Sequence, residues 1–190
     1  IISHSLGGMI CLQYAGLFPE KVRQLIAIEG LGMPPVKEDE ETKKPIDTRL
    51  ANWVEYLRKL SARTAHKYLT VEDAVKRMQE ANERLTPDQA HHLTDHGIDQ
   101  NEDGTFSWKF DNYVRVFPPY GLNEKERQSL WARINCPVLL VRGTESWDTN
   151  PEKDGRARHF QAANTIEMEG AGHWVHHDKL EEFLSVIEEF

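Results

Sequence analysis

The first eight residues constrain the fold more than any other segment. Ile1-Ile2 is a β-branched pair, and Ser3-His4-Ser5-Leu6-Gly7-Gly8 follows it at once. β-branched residues favour strands, and glycines allow a sharp turn. Residues 8–17 are apolar nearly all round, which is typical of a helix buried against a sheet. We therefore predict the end of a strand, a tight turn and a buried helix, in that order.

The same α/β order returns near the end of the chain. Apolar runs predict strands over residues 22–28, 136–141 and 165–168, and helical patterns predict helices over residues 151–162 and 177–190. Buried parallel strands read as short, continuous apolar runs. Strands that alternate with helices therefore predict an α/β fold with a mostly parallel sheet.

The middle of the chain, residues 33–133, has a different character. Residues 33–49 are rich in proline and charge, which predicts a solvated connection. Helices are expected over residues 46–60 and 123–133 and after the N-caps Thr70 and Thr86, with one extended piece over residues 106–110. We expect seven aromatic residues to form its core, and some of them to line an apolar acyl pocket: Trp53, Tyr56, Phe106, Trp108, Tyr113, Phe117 and Tyr120.

Composition excludes several classes of function. The 190 residues include 23 basic and 31 acidic side chains, and a net charge of −8 does not suit nucleic-acid binding. No apolar run reaches the roughly 18–20 residues of a membrane span, and nothing resembles a cleavable signal. Cys11 and Cys136 are too few for a disulfide framework, so we expect reduced, buried thiols.

Ser5 is the candidate nucleophile. It stands at the predicted strand-to-helix turn, where a strained backbone requires small neighbours two positions away, and Ser3 and Gly7 fill those places. The turn also directs the Leu6 amide at the point where a negative oxygen would develop. A serine hydroxyl needs a base, and His173 follows a predicted strand in the glycine-flanked loop Gly170-Ala171-Gly172-His173.

These motifs resemble the α/β-hydrolase family. Residues 3–8 are similar to its Gly-x-Ser-x-Gly nucleophile elbow, with Ser3 in place of the first glycine, and residues 170–173 are similar to its histidine loop. The resemblance implies an α/β core over residues 1–32 and 134–190, holding only the fifth to eighth strands of the family sheet. It implies a mainly helical cap over residues 33–133, and further sequence before Ile1.

The acid that orients the histidine is the ambiguous member of the triad. In most of the family it follows the seventh strand, three residues after a glycine, and here Ser146 holds that place after Gly143. Glu145 and Asp148 are near that position. Glu29, directly after the sixth strand, corresponds to the acid of some relatives, and an unpaired carboxylate is costly at an apolar strand end. We therefore assign the acid to Glu29, with Glu145 and Asp148 as alternatives.

The predicted function is that of a serine hydrolase acting on a carboxylic ester or related acyl substrate, with no metal or organic cofactor. A carbon–carbon bond hydrolase with the same triad and a non-catalytic binding protein on this scaffold remain alternatives. The expected partner is a small acyl molecule, and neither oligomeric state nor localisation follows, with the cytoplasm as the default. His91, His92 and His96 have a helical spacing that would suit a metal, but a solvated helix face explains them better.

Overall fold

A computed structural model describes residues 1–34, 44–116, 119 and 121–190. The expectations for Phe117, Tyr120 and the charged residues 37–43 fall outside those ranges. The chain divides into two compact units. The first comprises Ile1–Lys43 and Leu122–Phe190, and the second comprises Lys44–Gly121.

The described part of the chain contains both helices and strands. The helices are α1 (Leu6–Leu17), α2 (Ile46–Ser61), α3 (Val71–Ala81), α4 (Pro87–Gly97), α5 (Glu124–Trp131), α6 (Val175–Asp178) and α7 (Leu180–Glu189). The strands are β1 (Ile2–His4), β2 (Leu25–Ile28), β3 (Ile98–Gln100), β4 (Phe106–Trp108), β5 (Val138–Gly143) and β6 (Ala163–Met168). None of these helices is long and apolar enough to cross a membrane.

The first unit is built on a four-stranded sheet in the order β1-β2-β5-β6. All three strand pairs are parallel, and Ile28 at the end of β2 is paired with both His4 of β1 and Val141 of β5. The predicted α/β class with a parallel sheet is thus confirmed. Because parallel strands end at one edge, residues that follow β1, β2, β5 and β6 lie close together there.

Apolar side chains cover both faces of this sheet. Leu25 and Ala27 of β2 pack into one core with Leu12 of α1 and Trp131 of α5. The alternating Ile26 and Ile28 pack into a second core on the opposite face, with Val175 and Phe183 of the closing helices. Successive side chains of a strand point to opposite faces, so the apolar run of β2 is buried on both sides.

The second unit holds α2, α3, α4 and an antiparallel β3–β4 pair. Capping boxes at Thr70 and Thr86 start α3 and α4, as expected. Its core is a cluster of Tyr68, Ala74 and Ile98, with Val71, Phe106 and Trp108 packed against it. Tyr56 and Tyr113 are exposed rather than part of a core.

Three expectations about local structure are wrong. Residues 106–110 are not the only extended piece, because β3 pairs with β4 across a turn at Asp103-Gly104 and is too short to show a strand pattern in the sequence. Residues 151–162 form turns and a 3₁₀ segment, Ala157–His159, because Gly155 has a φ of +84°. The closing helix is interrupted at Lys179, whose φ is −139°.

Helix α5 belongs with the sheet and not with the second unit. Trp131 lies in the core beneath α1, and Arg133 Nε donates to the carbonyl of Gly16 at 2.8 Å. The division between the units therefore falls near residue 121, whereas the sequence pattern places the end of the insert at residue 133.

Candidate active site

Ser5 occupies a strained turn between β1 and α1. Its φ of 52° and ψ of −120° lie in a region that residues other than glycine rarely adopt. The Ser5 amide donates to the carbonyl of Ile28 at 2.9 Å, which fixes the turn against β2. Leu6 is the first residue of α1, where backbone amides have no partner within the helix. The strand, turn and helix follow one another as the sequence predicts.

A close contact between two glycines allows α1 to lie this near the sheet. A Cβ built on Gly8 would come within 2.6 Å of Gly30 Cα, a distance that real side chains do not tolerate. A Cβ on Gly7 would meet nothing nearer than Ser3 Cβ at 4.0 Å. The tightest requirement for a small residue near the turn is therefore at Gly8, one position beyond the pair used in the sequence argument.

His173 reaches Ser5 from the loop after β6. Its Nε2 lies 2.9 Å from Ser5 Oγ, within hydrogen-bonding distance. His4 Nε2 donates to the backbone carbonyl of His173 at 2.9 Å, and the rings of His4 and His173 lie 4.7 Å apart. The exposed ring of Trp147 lies 5.3 Å from the ring of His173 on another side. The histidine is thus held by its backbone and contacted on its ring.

Glu29 meets the other nitrogen of the same imidazole. Its Oε2 lies 3.3 Å from His173 Nδ1, and its side chain is fully buried. The Gly143 amide donates to Oε1 at 2.8 Å, and the Ser146 hydroxyl donates to Oε2 at 2.6 Å. The backbone of Glu29 has a φ of 50°, a second strained position at the same edge of the sheet. Ser5, His173 and Glu29 therefore form one continuous chain of contacts.

Comparison with known families identifies the family of this chain. Residues 1–186 match the model described as "Alpha/beta hydrolase family". The chain belongs to the alpha/beta hydrolase family. The family predicted from the elbow and the histidine loop is thus confirmed.

Similar proteins carry names from the same family. The chain is 25% identical over 200 residues to "Serine hydrolase-like protein" of Danio rerio, and the match covers 100% of the chain and 59% of the relative. It is 27% identical over 191 residues to "sn-1-specific diacylglycerol lipase ABHD11" of Xenopus laevis, covering 98% of the chain and 56% of the relative. The chain spans somewhat more than half the length of both relatives.

Solved structures share the fold. The chain superposes on the "Thioesterase Domain From Curacin Biosynthetic Pathway" with a TM-score of 0.80 and 24% identity. That similarity covers 100% of this chain and 65% of the thioesterase chain. At this identity the match supports the shared fold alone.

The two alternative acids lie in other surroundings. Glu145 is exposed. Asp148 is buried and pairs with the buried Arg156, whose Nη2 donates to Asp148 Oδ1 at 2.8 Å. Burial raises the pKa of the Asp148 carboxyl above its ordinary value, and Arg156 opposes that rise. The structure therefore brings Glu29 to His173, while Asp148 is engaged with Arg156.

Six of the other histidines in the chain fall into two groups. His4, His176 and His177 form ring contacts near His173, and burial lowers the pKa of all three, that of His176 to about 4. His91 on α4 is exposed and contacts Asp95 at 2.9 Å, and the rings of His92 and His96 meet edge to face with centroids 4.6 Å apart. Within the described residues, no cluster of three or more histidine, cysteine, aspartate or glutamate side chains could hold a metal ion.

Sequence reasoning missed three contributors to this site. Ser146 occupies the position where most of the family has the acid, and the sequence argument assigned no role to it. In the structure its hydroxyl donates to Glu29. The sequence argument also gave no role to Trp147 beside His173, and it placed His4 near the nucleophile without its bond to the His173 carbonyl. The only signal was position, since Ser146 and Trp147 follow Gly143 in the loop after β5.

Proposed function

We propose that this chain carries the catalytic centre of a serine hydrolase that cleaves carboxylic esters or related acyl compounds. The observation that carries the proposal is the chain of contacts from Ser5 Oγ to His173 Nε2 at 2.9 Å, and from His173 Nδ1 to Glu29 Oε2 at 3.3 Å. A hydroxyl, an imidazole and a carboxylate in this order constitute the arrangement that activates a serine.

Each residue has a defined task in the proposed reaction. Ser5 Oγ attacks the acyl carbon while its proton passes to His173 Nε2, and the Leu6 amide donates to the oxygen that becomes negative. His173 then gives the proton to the departing alcohol, which leaves an acyl group on Ser5. A water molecule, deprotonated by His173, releases the acid and restores Ser5.

Glu29 holds His173 in the form that this chemistry needs. When Nδ1 donates to the carboxylate, Nε2 is left free to accept the serine proton. The negative charge also stabilises the imidazolium that forms in each step. Because the Glu29 side chain is fully buried, water does not weaken this interaction.

The name of one relative supports the acyl class. The curated relative from Xenopus laevis is named a diacylglycerol lipase, and that name denotes cleavage of an acyl group from oxygen. We extend only that class to this chain, and the size of the acyl group is left to experiment.

In this proposal, residues 44–121 act as a cap. They form a compact unit of their own, inserted between β2 and α5 of the sheet-bearing unit. Inserted units of this kind vary substrate choice while the rigid scaffold keeps the chemistry.

Hydrolysis of p-nitrophenyl acetate and p-nitrophenyl octanoate by the full-length protein tests the proposal. We expect turnover of at least one ester, reduced by several orders of magnitude in Ser5→Ala. Ser185→Ala is the matched control, because Ser185 is exposed on α7 and its hydroxyl donates to the carbonyl of Glu181 at 3.0 Å. Equal rates for Ser5→Ala and the wild type would contradict the proposal.

A further inference from the structure

The loop after β5 supplies two donors to Glu29. The Gly143 amide donates to Oε1 at 2.8 Å, and the Ser146 hydroxyl donates to Oε2 at 2.6 Å. Hydrogen bonds to an ionised group are among the strongest in proteins. The two oxygens of the carboxylate are therefore each fixed from this loop.

Ser146 shares its acceptor with the catalytic histidine. Oε2 of Glu29, which accepts from the Ser146 hydroxyl, also lies 3.3 Å from His173 Nδ1. A serine hydroxyl has one proton, and the 2.6 Å contact with Glu29 uses it. Ser146 thus acts on the oxygen that faces the imidazole, whereas Gly143 acts on the other.

Contacts made by the next residues of the loop fix the position of Ser146. The Asp148 amide lies 3.5 Å from Ser146 Oγ, and Asp148 is anchored by its buried ion pair with Arg156. Arg156 further donates to the Thr149 carbonyl at 3.0 Å, and Arg142 donates to the Asp148 carbonyl at 2.9 Å. The loop that carries Ser146 is therefore held by two arginines.

We propose that Ser146 is a positioning residue that holds the Glu29 carboxylate toward His173 and tempers the negative charge on Oε2. The inference rests on the proposed function, because it acts through the same triad. Without this hydroxyl, more charge remains on Oε2, and the loop after β5 holds the carboxylate through the Gly143 amide with one donor fewer, so its orientation is less restrained. The first effect favours the imidazolium, and the second weakens the alignment of His173 with Ser5.

Other charged or titratable groups surround the pair formed by Glu29 and His173. They come from β1, from the loop after β5 with its anchoring arginine, and from α6: His4, Asp148, Arg156, His176 and His177. A serine-to-alanine change at position 146 replaces none of these side chains but removes the contact of Ser146 Oγ with the Asp148 amide. Ser146→Thr keeps the hydroxyl, so a shift in the pH–rate profile that occurs in the alanine variant and not in the threonine variant is assigned to the lost hydroxyl.

The test measures how fast a fluorophosphonate probe modifies Ser5 between pH 5 and pH 9 in the full-length protein. In this reaction Ser5 Oγ forms a bond to phosphorus, the P–F bond breaks, fluoride leaves and the serine proton passes to His173. Ser146→Ala removes the hydroxyl, Ser146→Thr keeps it, and Ser185→Ala, at an exposed position of α7, is the matched control. Free energies of unfolding in urea are measured for all of them.

We expect Ser146→Ala to react about tenfold more slowly on the plateau, the usual scale for one hydrogen bond to a charged group. The acidic limb of its pH–rate profile should move to higher pH. Ser146→Thr should return both the plateau rate and the position of the acidic limb to the wild-type values. An alanine variant with wild-type rate and limb would overturn the inference, even if it unfolded more easily. A threonine variant as slow as alanine would overturn it as well.

The same experiment separates this inference from the proposed function. If the wild-type protein does not react with the probe at Ser5, the proposed function fails. If it reacts and Ser146→Ala behaves as Ser185→Ala does, only the role of Ser146 fails.

Discussion

Oε2 of Glu29, in the residue after β2, lies 3.3 Å from Nδ1 of His173, although 144 positions separate the two residues. The parallel sheet explains this proximity. Strand β2 lies between β1, which leads into Ser5, and β5, whose following loop holds the carboxylate. The candidate nucleophile and acid therefore extend from adjacent strands, and His173 enters from the loop after β6 to contact both.

Replacing Glu29 tests whether it is the acid of the triad. Glu29→Gln keeps the size of the side chain but removes the charge that stabilises the imidazolium. We expect turnover of p-nitrophenyl acetate to fall on the order of 10⁴-fold, the scale seen when a triad acid becomes an amide.

Glu145→Gln and Asp148→Asn complete the set of variants. Glu145 is exposed, so its substitution should leave turnover within a few-fold of the wild type. Asp148→Asn should instead reduce the free energy of unfolding, because it leaves the buried Arg156 without one of its partners. If Glu29→Gln kept near-normal turnover and either other variant lost its turnover, the acid of the triad would have to be assigned to the loop after β5.

The contact between Gly8 and Gly30 predicts a large effect on stability. Gly8→Ala places a Cβ 2.6 Å from Gly30 Cα, so α1 must move away from the sheet. We expect the free energy of unfolding to fall by about 1–3 kcal/mol in urea titrations, as for overpacked cores. Gly121→Ala is the control, since its Cβ would meet no atom of the described residues within 4 Å. Equal stabilities for the two variants would show that no close approach exists.

Burial of His176 predicts a dependence of stability on pH. Its pKa is lowered from 6.5 to about 4 in the folded protein. Between those values the unfolded chain binds a proton that the folded chain does not, so stability falls as the pH drops from about 6.5 to 4.

His176→Leu removes that source of pH dependence. Its free energy of unfolding should decrease less between pH 7 and pH 5 than that of the wild type, as measured in urea. His91→Leu, on the exposed face of α4, is the control and should follow the wild type. An unchanged slope in His176→Leu would contradict the burial argument.

The sequence predicts the parts of this site that depend on local pattern. The strand, turn and helix around Ser5 can be predicted because β-branched, small and apolar residues follow one another within a few positions. The capping boxes at Thr70, Thr86 and Asn123 can also be predicted, because each one involves residues only three positions apart. These features involve neighbours in the chain.

Contacts between distant segments could not be predicted in this way. Ser146 gains its bond to Glu29 only because β5 lies beside β2, and no periodicity in the sequence carries that information. The sequence pattern predicted a helix over residues 151–162, which the structure does not contain. Arg156 instead forms the buried ion pair with Asp148, and this tertiary contact overrides local helix propensity. Strand β3, three residues long, has too few positions to show an alternating pattern.

Exchanging the inserted unit tests its proposed role as a cap. Replacing residues 44–121 with a short glycine–serine linker should change the ratio of octanoate to acetate ester hydrolysis by about tenfold or more. Modification of Ser5 by a small fluorophosphonate should change less, because the triad residues all lie in the sheet-bearing unit. An unaltered ester ratio in a folded deletion variant would remove the cap role from the proposal.

Mapping the fluorophosphonate adduct tests the central claim most directly. The full-length protein is treated with the probe, digested and analysed by mass spectrometry, with His173→Ala as the comparison that lacks the base. The account predicts one modified peptide, carrying the adduct on Ser5, in the wild type and almost none in the variant. An adduct on another serine, or equal labelling of Ser5 without His173, would contradict it.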